Sequence, residues 1–295
     1  MQKIVPCLWY DGDGETAARR YAELIPGSEV GTVTHYPDSG KVMTVSARLG
    51  DTEVMTLNGG PQFRFTPATS LFVILEDRAA VDRLWEGLAD GGTVSMPLDR
   101  YDWSERYGWV ADRWGLNWQV ALGKHADAGR TVTPSLLFAG EAAGQAQAAI
   151  EHYVATFHGA SVDGIHRHEG SGRDAAGTVM HAQFRIDGQA VMAMDSAEAD
   201  AGFNEAVSLM VSCEDQAEID RLWSALTAVP ASEACGWVKD RFGVSWQIVP
   251  RALWGMMASG DREARERMFA AVWGMKKLDL AAIERAFAGA ETVAS

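Results

Sequence analysis

Short runs in which apolar and polar positions alternate, bounded by glycine, proline and aspartate, fill the first 250 positions of the chain. A period of two predicts strands and a period near 3.6 predicts helices. Strands are expected at KIVPCLWY, EVGTVTHY, KVMTVSARL, TEVMTLN, SLFVILE, YGWVADR and LNWQVAL. The Gly-Asp pair between KVMTVSARL and TEVMTLN is a tight-turn signal. One helix is expected at ETAARRYAELI, capped by Asp13 or Gly14 and stopped at Pro26-Gly27. A second, RAAVDRLWEGLA, places Val81, Leu84, Trp85 and Leu88 on one face. The order is β-α-β-β-β, then β-α-β-β-β again.

The pattern then repeats. GWVADRWGLNWQV at 108–120 returns as GWVKDRFGVSWQI at 236–248, displaced by 128 positions (Gly108 against Gly236). SLFVILEDRAAVDRLW parallels SLMVSCEDQAEIDRLW, and Pro6 aligns with Pro134. Residues 1–123 and 132–250 are therefore two copies of one domain, joined by the polar linker GKHADAGRT. The copies differ most where ADGGTVSMPLDRYDWSERYGW is shortened to TAVPASEACGW. The longer version reads as a loop carrying Tyr101, Trp103 and Tyr107, which either shapes a binding site or covers core. Trp85 and Trp223 fall on helical core stripes. Trp109, Trp118, Trp237 and Trp246 fall in strands and read as anchors of sheet to helix.

Residues 251–295 depart from the repeat. DREARERMFAAVWGMKK and DLAAIERAFAG predict two helices, N-capped by Asp261 and Asp279. Met268, Phe269, Val272 and Trp273 form an apolar stripe on one, and Leu280, Ile283 and Phe287 on the other. Such stripes must be buried, against the body of the protein or against a second subunit.

Composition narrows the function. A net charge of −14 repels a phosphate backbone, so no nucleic-acid partner is expected. No apolar run is long enough to span a membrane and the N-terminus lacks an apolar leader, so a cytoplasmic location is expected. The three cysteines lack metal-type spacing; Cys7 and Cys213 lie in apolar runs and read as buried thiols. No strand leads into a GxGxxG or P-loop, and no glycine-rich turn of a methyl-donor Rossmann domain is present.

LWYDGDGETAARRY, LNGGPQFRFTP, GGTVSMPL, the two GWV segments and the tail MKKLDLAAIERA resemble the PhnB-like subgroup of the vicinal oxygen chelate superfamily, whose domain is labelled 3-demethylubiquinone-9 3-methyltransferase. That superfamily includes glyoxalase I, extradiol dioxygenases and fosfomycin and bleomycin resistance proteins. The resemblance covers nearly the whole chain. It implies an α+β fold of two tandem glyoxalase/bleomycin-resistance-like domains, each of paired βαβββ modules, plus the helical tail. It also implies that single-repeat relatives pair domains between chains, a pairing that duplication would make internal.

In metal-using members, His and Glu at four cup-facing positions hold a divalent ion. By the resemblance these positions fall on Pro6, Thr56, Ser70 and Gln119 in the first copy, and on Pro134, Ala193, Ser208 and Gln247 in the second. Neutral amides, hydroxyls, proline and alanine are poor ligands or none. Neither a metal nor another cofactor is therefore expected.

The resulting expectation is a protein that binds a small organic molecule in a metal-free cup. Thr56, Asn58, Ser70 and Gln119 would line the first cup, Asp195, Ser208 and Gln247 the second, and Trp103 would shape specificity. The alternatives are an enzyme acting on a small oxygenated substrate and an interaction protein working through its C-terminal helices. Asp195 is a possible general base or a turn-capping side chain. His166 and His168, with His181 on the next strand, can bind zinc or simply occupy a partly exposed strand. Monomer and homodimer both remain open.

Overall fold

Hydrophobic alternation places each strand with one face toward a helix, and a computed structural model, describing residues 2–170 and 172–290, shows how those faces assemble. The first copy runs β1 (Ile4–Tyr10), α1 (Gly14–Leu24), β2 (Glu29–His35), β3 (Val42–Leu49) and β4 (Thr52–Asn58). Its second module is β5 (Thr69–Leu75), α2 (Arg78–Ala89), β6 (Thr93–Tyr101), β7 (Ser104–Ala111) and β8 (Asn117–Leu122). After a short linker helix α3 (His125–Ala128) come β9 (Val132–Phe138), α4 (Ala146–Thr156), β10 (Ser161–Arg167), β11 (Val179–Ile186) and β12 (Gln189–Asp195). The last module is β13 (Val207–Cys213), α5 (Gln216–Leu226), β14 (Trp237–Lys239) and β15 (Ser245–Pro250). The segment read as a long aromatic loop is in fact a hairpin, β6–β7. Three register irregularities interrupt that pair and obscure its alternation in the sequence.

Each copy splits its modules between two sheets. The seven-stranded sheet has the order β14-β15-β13-β1-β4-β3-β2, and the eight-stranded sheet β10-β11-β12-β9-β5-β8-β7-β6. The copies meet at two antiparallel pairs, β1 with β13 (Cys7 opposite Ser208) and β5 with β9 (Ser70 opposite Ser135). The helix-bearing faces of the sheets look toward each other. Leu8, Val45 and Val54 of one sheet share a core with Leu71, Trp118 and Val120 of the other, around α1 and α2. Ile4, Val211 and Trp246 likewise share a core with Phe138, Phe184 and Ala193, around α4 and α5. Each core is therefore built mainly from one copy, with Ile4 of the first copy entering the second core and Val207 of the second entering the first, while each copy lends about half of each sheet. The expectation that one copy's two modules build one cup is corrected: every sheet is shared.

The repeated GWVxDRxGxxWQ segment is explained inside these cores. Asp112 and Asp240 are buried in the turns before β8 and β15. Asp112 accepts hydrogen bonds from Trp118 Nε1 (2.9 Å), Tyr21 OH (2.6 Å) and the Trp114 and Leu116 amides (2.9 and 3.1 Å). Asp240 accepts from Trp246 Nε1 (2.9 Å), Tyr153 OH (2.7 Å) and the Phe242 and Val244 amides (2.9 and 3.0 Å). Burial pushes both carboxyls above their ordinary range, although all four donors pull the other way. Each aspartate ties its tight turn, the tryptophan of the final strand and the tyrosine of the first-module helix into one node. The strand tryptophans Trp118 and Trp246 are thus anchors.

The tail forms three helices, α6 (Ala252–Met257), α7 (Arg262–Trp273) and α8 (Leu280–Ala288), where two were predicted. The six-residue α6 is too short to show a periodic face. Asp261 and Asp279 cap α7 and α8 through the amides of Ala264 and Ala282, as their sequences predict. The tail docks on the body, on the outer face of the seven-stranded sheet. Met268, Phe269, Val272, Leu278 and Ile283 bury against Val5, Cys7, Met210 and Val249. Trp273 is the exception on its stripe, half exposed and stacked on Phe269. The shortened loop of the second copy makes room. Where the first copy has the β6–β7 hairpin, the second offers the amides of Cys235 and Gly236, which donate to the Met275 and Lys276 carbonyls at 2.8 Å each. Gly236 has φ +87°, and a side chain there would meet the Ile248 carbonyl.

Two outcomes are expected. Asp240→Ala should lower the unfolding free energy by about 3 kcal/mol, read by urea denaturation, because it strands buried tyrosine and tryptophan donors. A fragment of residues 1–123 should run as a dimer in light scattering, because alone it leaves β1 and β5 without their partners.

Candidate functional site

Strand parity decides which side chains reach the outer faces, where a ligand has room. On β4, Val54 packs into the helix-side core while Met55 and Leu57 pack toward the tail. Thr56 and Asn58 share the face of Val54. Thr56 Oγ1 donates to the Gly14 carbonyl (3.0 Å), and Asn58 Oδ1 accepts from the Gly14 amide (2.8 Å). They fasten the start of α1 and do not line a cup. A Cβ on Gly14 would collide with both side chains. Asp195, the equivalent of Asn58 in the second copy, does the same for α4. Its carboxylate accepts from the Ala146 amide (3.0 Å) and the Val179 amide (2.9 Å). The expected cup residues Thr56, Asn58 and Asp195 therefore fasten the helix starts, and both carboxylate oxygens of Asp195 are engaged by backbone amides.

The same parity moves the superfamily's ligand positions. Ile4 and Leu8 face the helices and Val5 and Cys7 the tail, so Cys7, not Pro6, is the outward residue of β1. A shift of one residue transfers a side chain to the opposite face. On the seven-stranded sheet the outward set is Cys7, Met55, Ser208 and Gln247. On the eight-stranded sheet it is Ser135, Met192, Ser70 and Gln119. Burial raises the Cys7 thiol to about 11, so it is neutral at physiological pH. Neither set offers the anionic or imidazole donors that a divalent ion needs. Among the described residues no three His, Cys, Asp or Glu side chains lie close enough together to hold a metal.

Ser70, Gln119, Ser208 and Gln247 do face outward, in two pairs that lie beside the junction of the copies. Gln119 Nε2 donates to Ser70 Oγ (2.8 Å) and to Ser135 Oγ of the other copy (3.3 Å), while its Oε1 accepts from Tyr107 OH (2.7 Å). Gln247 Nε2 donates to Ser208 Oγ at 2.9 Å, beside Cys7. Gln119 is thus a staple across the junction, whereas Gln247 joins two strands of the second copy beside the first copy's Cys7. Cys7 and Met210, beside Gln247, lie under the tail's Met268 and Leu278.

The remaining candidates stay apart. Trp103 sits at the tip of the β6–β7 hairpin, 67% exposed, stacked on Tyr101. His166 and His181 are paired across β10 and β11, and burial together with His166 holds His181 below the ordinary imidazole range. His168 lies beyond the strand, its Nε2 4.0 Å from Asp174.

A cavity of about 440 Å³ lies elsewhere on the seven-stranded sheet, between its outer face and α6. Val5, Met55 and Met210 form its apolar floor, Thr44 and Ser212 add hydroxyls, and Trp254 is part of its roof. Trp254 Nε1 donates to Ser212 Oγ at 3.2 Å and so fixes α6 over the sheet. None of these residues is among the sequence candidates. Met55 alternates with Thr56, and each face of β4 mixes apolar with polar side chains, so parity alone is ambiguous. Trp254 lies outside the repeat.

The family described as 3-demethylubiquinone-9 3-methyltransferase matches residues 2–121 and again residues 130–249, and the chain belongs to it. No curated protein matches the chain. A solved PhnB protein from Bacillus cereus is 32% identical, covering 41% of this chain and 100% of its own, at a TM-score of 0.40. A protein from Pseudomonas aeruginosa is 26% identical over 41% of this chain and 97% of its own, at a TM-score of 0.37. Glyoxalase I from Zea mays covers 87% of this chain and 95% of its own, with 9% identity and a TM-score of 0.55, a likeness of fold. The chain therefore carries this family's domain twice in tandem, and its likeness to glyoxalase I is one of fold alone.

Burial sets a thiol prediction. Desolvation raises Cys7 to about 11 and Cys213 to about 12, whereas Cys235 is only half-buried. In native protein at pH 8, Ellman's reagent should titrate Cys235 alone, and all three thiols only after denaturation.

Proposed function

We propose that the protein binds a small organic molecule in the cavity between the outer face of the seven-stranded sheet and α6. The cavity itself carries the reading: about 440 Å³ is the volume of a small-molecule pocket, and its lining is an apolar floor and roof with several hydroxyls and, at one end, Glu29, Arg48 and Glu53. Three methionines and a tryptophan, Met55, Met210, Met257 and Trp254, suit an aromatic or otherwise flat apolar body, because thioethers adapt to a ring and attract its edge. Thr44 and Ser212 can fix its orientation through an oxygen. The functional expectation from the sequence keeps its class, and the lining residues change. A metal plays no part in this reading.

The neutral fluorescent probe N-phenyl-1-naphthylamine tests it on the full chain. Wild type should bind the probe saturably and one-to-one. Met210→Trp, which fills the floor, and Met257→Trp, which fills the half-exposed roof, should each weaken binding at least tenfold with the fold retained. Unsaturable binding, or binding indifferent to both variants, would sink the proposal.

A further inference from the structure

Beside the main cavity lies a second one of about 270 Å³, at the edge strand β2. The two share Thr32, Thr34, Met257 and Ala258, so they form one elongated groove under α6 and the start of α7. Its two ends differ in charge. At the far end, in the main cavity, stand Glu29, Arg48 and Glu53. Arg48 there is committed to Glu29 at 3.1 Å, which leaves that end with acid in excess. The near end holds Arg265 and His35. Arg265 is half-buried, with its guanidinium tethered to the Ser259 carbonyl. Among the described residues no carboxylate pairs with it, although its helix neighbour Arg262 is paired with Glu266. A guanidinium forks toward planar anions, and in a partly desolvated groove that preference strengthens.

We infer, on the basis of the binding reading above, that the ligand is an amphipathic anion: an aromatic or flat apolar body carrying one carboxylate or sulfonate. The body lies over Val5, Met55 and Met210, and the anionic group reaches past Met257 to Arg265. Glu53, the acid in excess once Arg48 pairs with Glu29, repels the anion from the opposite end and so sets the orientation. Selectivity for charge then resides in a tail residue, outside both copies of the repeat.

A matched pair of probes tests this on the full-length protein. 8-Anilinonaphthalene-1-sulfonate carries an anionic group on the same ring system as the neutral N-phenyl-1-naphthylamine. Arg265→Gln should weaken the sulfonate at least tenfold and leave the neutral probe within twofold. Arg265→Lys should recover most of the sulfonate affinity, and added salt should weaken the sulfonate more than the neutral probe. If the neutral probe binds wild type and is lost in Met257→Trp, but Arg265→Gln leaves the sulfonate unchanged or weakens both probes equally, the anion assignment is wrong and the cavity stands. If the neutral probe does not bind wild type, the cavity reading fails and this inference falls with it.

Discussion

The antiparallel pairings of β1 with β13 and of β5 with β9 are the constraint on which the molecule rests. Without them each copy would present two bare strand edges, and neither sheet would be continuous. Main-chain hydrogen bonds contribute only about 1 kcal/mol each, net. At the β5–β9 junction they are reinforced by a side chain, Gln119 of the first copy donating to Ser135 of the second. The junction also decides what shares an outer face. Cys7 of the first copy meets Ser208 of the second, so any surface built there belongs to both halves.

Inside, the buried aspartates do the equivalent work for each core. A carboxylate taken out of water is tolerated only when donors surround it. Asp112 and Asp240 each have four, two from side chains and two from their own turns. One group thereby fixes the turn shape, the rotamer of the neighbouring tryptophan and the distance to the first-module helix. The repeated motif is the imprint of this arrangement, and its chemistry is structural.

Much of the architecture was legible in the chain. Alternation located the strands, α1 ends within one residue of where the stop at Pro26-Gly27 predicts, and the two tail caps are where aspartate predicts them. The 128-residue displacement gave the duplication. What alternation could not give was facing. On β4 both Val54-Thr56 and Met55-Leu57 are acceptable inward pairs, so Thr56 and Asn58 were assigned to the wrong side. Asp195 followed by analogy. The hairpin β6–β7 was hidden by its irregular register, and α6 by its length. The cavity was illegible for a further reason: its floor comes from strands of both copies and its roof from the tail. No local window contains it.

The docked tail also ends the equivalence of the two halves. Two copies of one domain, sharing two sheets, would form a nearly two-fold symmetric object with matched outer surfaces. The helices after Pro250 cover one of those surfaces and contribute Trp254 to it. Residues that still align between the copies now live in different surroundings. Gly108 is held small by the ring of Trp85, whereas Gly236 is held small by a carbonyl and the tail's Leu278. Symmetry of sequence has become asymmetry of role, with one half of a doubled scaffold released to specialise while the other keeps the frame.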